Sequence, residues 1–185
     1  MSPPSIPARS LLVLGGARSG KSAYAQRLAE AAAPQRIYLA TGEAHDPEMA
    51  ERIARHRTER GAGWTTREAP LALIEALGEE ARPGRVALVD CLTLWLSNLM
   101  LAGRDAEAEA EKLAAGIRAL AGPVIFVSNE VGLGIVPENA LARKFRDVQG
   151  RANRRIASAC DVVMLVSAGL PTLLKPAAAP ALRLA

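Results

Sequence analysis

Short apolar runs recur along the chain, separated by longer stretches in which apolar and polar positions mix. Residues 11–14 (LLVL), 36–40 (RIYLA), 85–89 (RVALV), 124–127 (VIFV) and 162–167 (VVMLVS) are such runs. They are too short for buried helices and too continuous for half-exposed strands, so they predict strands covered on both faces. Residues 64–67 predict one further short strand. The intervening stretches 23–33, 47–60, 71–77, 91–101, 107–120 and 139–160 predict helices, the last one long, basic and broken near Gly150. Pro34, Pro83-Gly84 and the glycine-rich 131–137 punctuate them, and Asp46-Pro47 has the form of an N-cap followed by a first-turn proline. The 107–120 helix carries no strong apolar stripe and is expected to be largely solvated. Strands alternating with helices predict a single α/β domain built on a mostly parallel sheet. Its bounds are 11–175, with residues 1–10 as a proline-punctuated leader and 176–185 as a tail rich in alanine and proline.

Composition narrows this picture only modestly. A length of 185 residues suits one domain with a proper core, and with 3% aromatic residues that core must be built from Ala, Leu, Val and Ile. The net charge of +4 suits small polyanions as well as nucleic acid, but no basic run interleaved with aromatics is present. Two isolated cysteines, Cys91 and Cys160, offer neither a disulfide framework nor a zinc site. No apolar run reaches the roughly 20 residues of a membrane span, so a cytoplasmic location is expected.

Chemistry enters with the segment after the first strand. Gly15-Gly16-Ala17-Arg18-Ser19-Gly20-Lys21-Ser22 fits G-x-x-x-x-G-K-[ST], the loop that cradles phosphates between a strand and a helix. Glycines let backbone N–H groups turn inward around phosphate oxygens, and the following helix offers its positive end to the same anion. Lys21 would reach the β- and γ-phosphates, and Ser22 would ligate Mg²⁺. Asp90 ends an apolar strand, where phosphate-loop enzymes place the acid that holds the metal; capping the next helix is its alternative role. A nucleoside triphosphate is therefore the expected ligand.

The 47–60 helix is less usual. Met49, Ile53 and His56 share one face, and Arg52, Arg55, Arg57 and Arg60 surround the histidine. Clustered cations would gather phosphate charge and favour a neutral imidazole, which is a competent nucleophile toward phosphorus. A solvated basic helix has the same pattern, and the residues alone leave both readings open. His45 reads as a surface histidine and Glu68 as solvated. Two other functions fit the residues as well. One is a single-function small-molecule kinase. The other is a nucleotide-switched protein gripping nucleic acid through its 143–155 face, a reading weakened by the shortage of aromatics for base stacking.

Four stretches together resemble one known family: GGARSGKS at 15–22, the RIxxHRxxR pattern at 52–60, the 64–68 segment, and SNEVGLGIVPENALARKFRDVQGRANRRIA at 128–157. The sequence is similar to the bifunctional adenosylcobinamide kinase / adenosylcobinamide-phosphate guanylyltransferase family of cobalamin nucleotide-loop assembly, over about 11–175. The resemblance implies two reactions. ATP or GTP phosphorylates the aminopropanol hydroxyl of adenosylcobinamide, and GMP from GTP then passes through a covalent histidine to adenosylcobinamide phosphate, with release of pyrophosphate. By position the histidine falls on His56. The family's nucleotide contacts fall on 15–22, on Ala40, Thr41 and Gly42, on Arg57, Thr58, Glu59 and Arg60, on Glu68 and on Asp90. In that setting Glu68 would accept hydrogen bonds from a guanine edge. Asn129 and Glu130 sit at a strand's carboxyl end without an assigned role. Arg154 stands where the family pattern carries an uncharged amide. A RecA-like sheet, a Mg²⁺ requirement and a trimer are also implied.

Overall fold

Every apolar run becomes a strand. In the computed structural model, which describes residues 6–43, 51 and 61–177, the strands are β1 (Ser10–Gly15), β2 (Gln35–Ala40), β3 (Trp64–Glu68), β4 (Arg85–Asp90), β5 (Val124–Asn129), β6 (Val162–Ser167) and β7 (Leu170–Lys175). The helices are α1 (Lys21–Ala32), α2 (Leu73–Glu80), α3 (Leu92–Leu101), α4 (Ala106–Gly116), which runs on into a 3₁₀ turn at Ile117–Ala119, and α5 (Ala140–Ala159). Except for Glu51, the expected helix at 47–60 lies outside the described residues, as do His45, His56, Arg57, Thr58, Glu59 and Arg60.

The sheet order is β3-β2-β4-β5-β1-β6-β7, parallel throughout except for the antiparallel β6–β7 pair. Alternation along the strands divides the core into two layers. Val13, Val86, Leu88, Ile125 and Val127 pack toward Ala25 and Ala29 of α1, where alanines let helix and sheet approach closely. Leu12, Leu39, Val89 and Phe126 face the opposite layer, with Trp95, Leu96 and Leu99 of α3 and Val148, Ala152 and Ile156 of α5. Trp95, fully buried, supplies much of the bulk that the chain otherwise lacks in aromatics.

Three expectations need correction. The basic helix does not break at Gly150: α5 is continuous, because burial of Val148, Ala152 and Ile156 outweighs the roughly 1 kcal/mol that one glycine costs. The run of strands does not end at Ser167 either. Ala168 and Gly169 both adopt positive φ, 51° and 80°, and this two-residue turn folds β7 back onto β6. Pro171 is tolerated there because β7 is an edge strand. Finally, α4 is not largely solvated, since Ala106, Ala110 and Leu113 are buried.

The amino end of β1 is pinned by a carboxylate. Asp161 Oδ2 accepts hydrogen bonds from Arg9 N–H (2.8 Å), Ser10 N–H (2.9 Å) and Ser10 Oγ–H (3.0 Å). These bonds, that from Arg9 foremost, hold its pKa below the usual aspartate value. A lowered folded-state pKa stabilises the native state above the unfolded value and loses that contribution as pH falls through the folded one. Stability should therefore decline on acidification below about pH 4. Asp161→Asn is expected to lower stability at neutral pH and flatten this acid limb, as followed by urea unfolding at several pH values.

Candidate functional site

Parallel strands bring their carboxyl ends to one edge of the sheet, the position at which open α/β folds bind ligands. Register places Glu68 beside Ala40, Ala40 beside Asp90, Asp90 beside Val127, and Asn129 beside Gly15. The predicted residues Gly15, Ala40, Glu68 and Asp90 thus lie along one edge, although the sequence separates them widely.

The loop after β1 is shaped by close packing. A side chain at Gly15 would place its Cβ 2.5 Å from both Ser19 Oγ and the Val166 carbonyl oxygen, so only glycine fits. Gly20, the N-cap of α1, takes φ 92°, and Arg18 has φ 56°, a left-handed conformation uncommon outside glycine. The loop is closed by Ser19 N–H to the Gly16 carbonyl (3.3 Å) and tied to the β6–β7 turn by Gly169 N–H to the Ser19 carbonyl (2.8 Å). Gly16, Ala17, Arg18 and Gly20 form its exposed crest, with Ser22 half-buried in the first turn of α1. Lys21 is 9% exposed, and its Nζ donates to the Gly16 carbonyl (3.1 Å). The ammonium is held against the loop it would serve, where a phosphate oxygen would replace the carbonyl as acceptor.

Beside this loop, the ends of β2 and β4 are fastened together. The Thr41 hydroxyl donates to the Cys91 carbonyl (2.7 Å) and accepts from Cys91 N–H (2.8 Å), and Thr41 is fully buried. Asn98 of α3, also buried, donates through Nδ2 to the Thr41 carbonyl (2.7 Å) and the Pro70 carbonyl (3.2 Å). The Thr41 side chain is thus spent on holding the strand ends, leaving backbone as the means by which 40–42 would meet a ligand. Thr41→Val removes both bonds and strands buried backbone groups, a loss of about 1–3 kcal/mol. Chemical denaturation should register that loss, with weakened nucleotide binding beside it. Burial pushes the Cys91 thiol up to about 11, so it stays protonated and unreactive at neutral pH.

Oxygen donors for a divalent cation are available. Ser22 and Asp90, both half-buried, are the predicted pair, and such hard cations take oxygen ligands with several waters retained. Asn129 Oδ1 is buried beside Gly15 without a hydrogen-bond partner among the described residues. An acceptor there suits a donor such as a metal-bound water, and the donor set fits a nucleotide-associated cation. Among the described residues no cluster of three or more His, Cys, Asp or Glu would hold a metal unaided. Glu68, at the end of β3, is exposed.

Sequence reasoning missed the polar supports of this edge. Ser128 Oγ donates to Asn153 Oδ1 (2.7 Å) and accepts from Gln149 Nε2 (2.8 Å), with all three residues buried. Asn153 Nδ2 donates to the Asn129 carbonyl and to Glu130 Oε1, both at 3.0 Å. Gln149 and Asn153 lie one turn apart on the apolar face of α5, a spacing that singles them out.

Comparison with known proteins agrees with this geometry. The model of the family described as cobinamide kinase / cobinamide phosphate guanyltransferase matches residues 11–174. The bifunctional adenosylcobalamin biosynthesis protein CobP of Pseudomonas aeruginosa is 49% identical over 166 residues, covering 89% of this chain and 96% of that protein. The bifunctional adenosylcobalamin biosynthesis protein CobU of Salmonella typhimurium is 40% identical, covering 89% of this chain and 99% of its own length. Among solved structures, a prototypical ATPase from the type III secretion system of pathogenic bacteria superposes with a TM-score of 0.51 at 11% identity over 86% of this chain. The type III secretion ATPase EscN of enteropathogenic E. coli gives 0.54 at 10% identity over 87%. The chain spans about half the length of these two ATPases, 51% and 43%, and the likeness establishes a shared fold.

Proposed function

The chain belongs to the cobinamide kinase / cobinamide phosphate guanyltransferase family, and from that membership we propose that one sheet edge serves both reactions in turn. The observation that carries this reading is the convergence of the phosphate loop with the ends of β2, β3 and β4. ATP or GTP lies with its phosphates on 15–22, where backbone N–H groups and Lys21 neutralise their charge. Ser22 and Asp90 would hold Mg²⁺, which when bound would offset negative charge on the phosphates.

In the first reaction the hydroxyl of adenosylcobinamide attacks the γ-phosphorus. In the second, the imidazole of His56 attacks the α-phosphorus of GTP and pyrophosphate departs. The phosphate of adenosylcobinamide phosphate then takes GMP from the histidine, giving adenosylcobinamide-GDP. Arg57 and Arg60 neutralise charge at the α-phosphate, backbone at Ala40, Thr41 and Gly42 lines the nucleotide, Thr58 and Glu59 add further nucleotide contacts, and Glu68 accepts from the guanine edge. The protein works in the cytoplasm as a trimer. Leu133, Ile135, Val136 and Leu141 stand exposed together around the start of α5, the kind of apolar surface that a neighbouring subunit covers. Among the described residues no helix is long and apolar enough to cross a membrane.

A coupled assay tests the reading. ADP formation from ATP should depend on added adenosylcobinamide, and pyrophosphate release from GTP beyond the one equivalent that accompanies loading of the histidine should depend on the phosphorylated product. Corrinoid-independent turnover in both steps would contradict it.

A further inference from the structure

Of the three nucleophiles in the proposed reactions, only one must lose a proton in order to attack. The imidazole attacks through a lone pair, and the corrinoid phosphate is already an anion. The alcohol of adenosylcobinamide carries a proton, so the phosphorylation step alone calls for a general base. The geometry points to Glu130 as that base, with Asn153 as the residue that positions it; the assignment rests on the kinase activity proposed above.

Glu130 directly follows β5, and its backbone N–H donates to the carbonyl of Gly15, the first residue of the phosphate loop (3.1 Å). Its carboxylate therefore starts from the rim on which the triphosphate would lie. The side chain is half-buried, and Oε1 accepts from Asn153 Nδ2 (3.0 Å). The Asn153 amide cannot turn over without loss, because its Oδ1 receives Ser128 Oγ–H (2.7 Å) and Gln149 Nε2–H (2.9 Å). Asn153 is 4% exposed, and Ser128 and Gln149 are fully buried. A buried amide network with fixed donor direction thus anchors one carboxylate oxygen. The other oxygen has no partner among the described residues, and no lysine or arginine among them pairs with this carboxylate. A carboxylate held through one oxygen by one neutral donor presents its other oxygen to the cleft. Asp90, by contrast, ends the adjacent strand β4, which leaves the two acids separate tasks, cation binding and proton removal.

In the step, the hydroxyl oxygen forms a bond to the γ-phosphorus as its proton passes to the free oxygen of Glu130. The bond from the γ-phosphorus to the β,γ-bridging oxygen breaks, and its electron pair leaves with ADP. The proton then returns to water.

The test is Glu130→Gln, which keeps shape and the Asn153 contact partner but removes the base. Adenosylcobinamide-dependent ADP formation should fall about 10²-fold or more in kcat, with KM for ATP within about threefold of wild type. Covalent labelling by GTP, and GMP transfer to preformed adenosylcobinamide phosphate, should proceed at near wild-type rates. Asn153→Ala should lower kcat of phosphorylation by a clearly larger factor than it lowers GMP transfer, a split that general loss of folding would not produce. Glu130→Gln phosphorylating as fast as wild type, or losing both reactions equally, overturns the assignment. Wild-type protein without corrinoid-dependent ADP formation would instead overturn the kinase reading beneath it.

Discussion

Replacing His56 with alanine is expected to reduce GMP transfer by about 10⁴-fold or more, the scale on which removal of a covalent nucleophile acts. Phosphorylation of adenosylcobinamide should continue at close to the wild-type rate, since the γ-phosphate reaction uses the alcohol as its nucleophile. His56 stands among Arg52, Arg55, Arg57 and Arg60 in sequence. In the proposed reaction those cations would disfavour a further positive charge, favouring a neutral, nucleophilic imidazole, and would attract the triphosphate. Separate assays of ADP and pyrophosphate formation check the division. Equal loss of both would assign His56 to binding rather than to covalent chemistry.

Lys21→Ala should show the opposite pattern. Lys21 is the one cation that the loop itself buries, parked on the Gly16 carbonyl within a phosphate's reach. If a single loop serves ATP and GTP, both reactions should fall together, each by about 10²–10³-fold, as expected when one preorganised donor to a transferring group is removed. Direct nucleotide titration would find weaker binding as well. Retention of either reaction at full rate would mean that a second triphosphate site exists.

How much of this was legible beforehand depends on range. The phosphate loop is a local device, with strand, glycines and helix contiguous, so Gly15 to Ser22 could be read directly and the fold around them matches. Strands were equally plain, because continuous apolar runs leave few alternatives. Alignment of Ala40, Glu68, Asp90 and Asn129 along one edge is a property of register between distant strands, and only the fold displays it. Thr41, Asn98, Gln149 and Asn153 were opaque for another reason. Each makes at least one hydrogen bond to a partner more than 20 positions away, which neighbouring residues cannot reveal, although the one-turn spacing of Gln149 and Asn153 does mark those two positions. The strand β7 escaped notice because proline at 171 argues against a central strand, while an edge position and the Ala168-Gly169 turn permit it. For His56 the spacing alone favours a solvated basic helix, and the nucleophile comes only from the resemblance of the surrounding motifs to the family.

The most direct test is to incubate the protein with GTP labelled at the α-phosphorus and examine the denatured chain. The account predicts label on His56, stable to base, released by acid, absent from His56→Ala, and discharged when adenosylcobinamide phosphate is added. An unlabelled wild-type chain, or label that survives the alanine substitution, would contradict it.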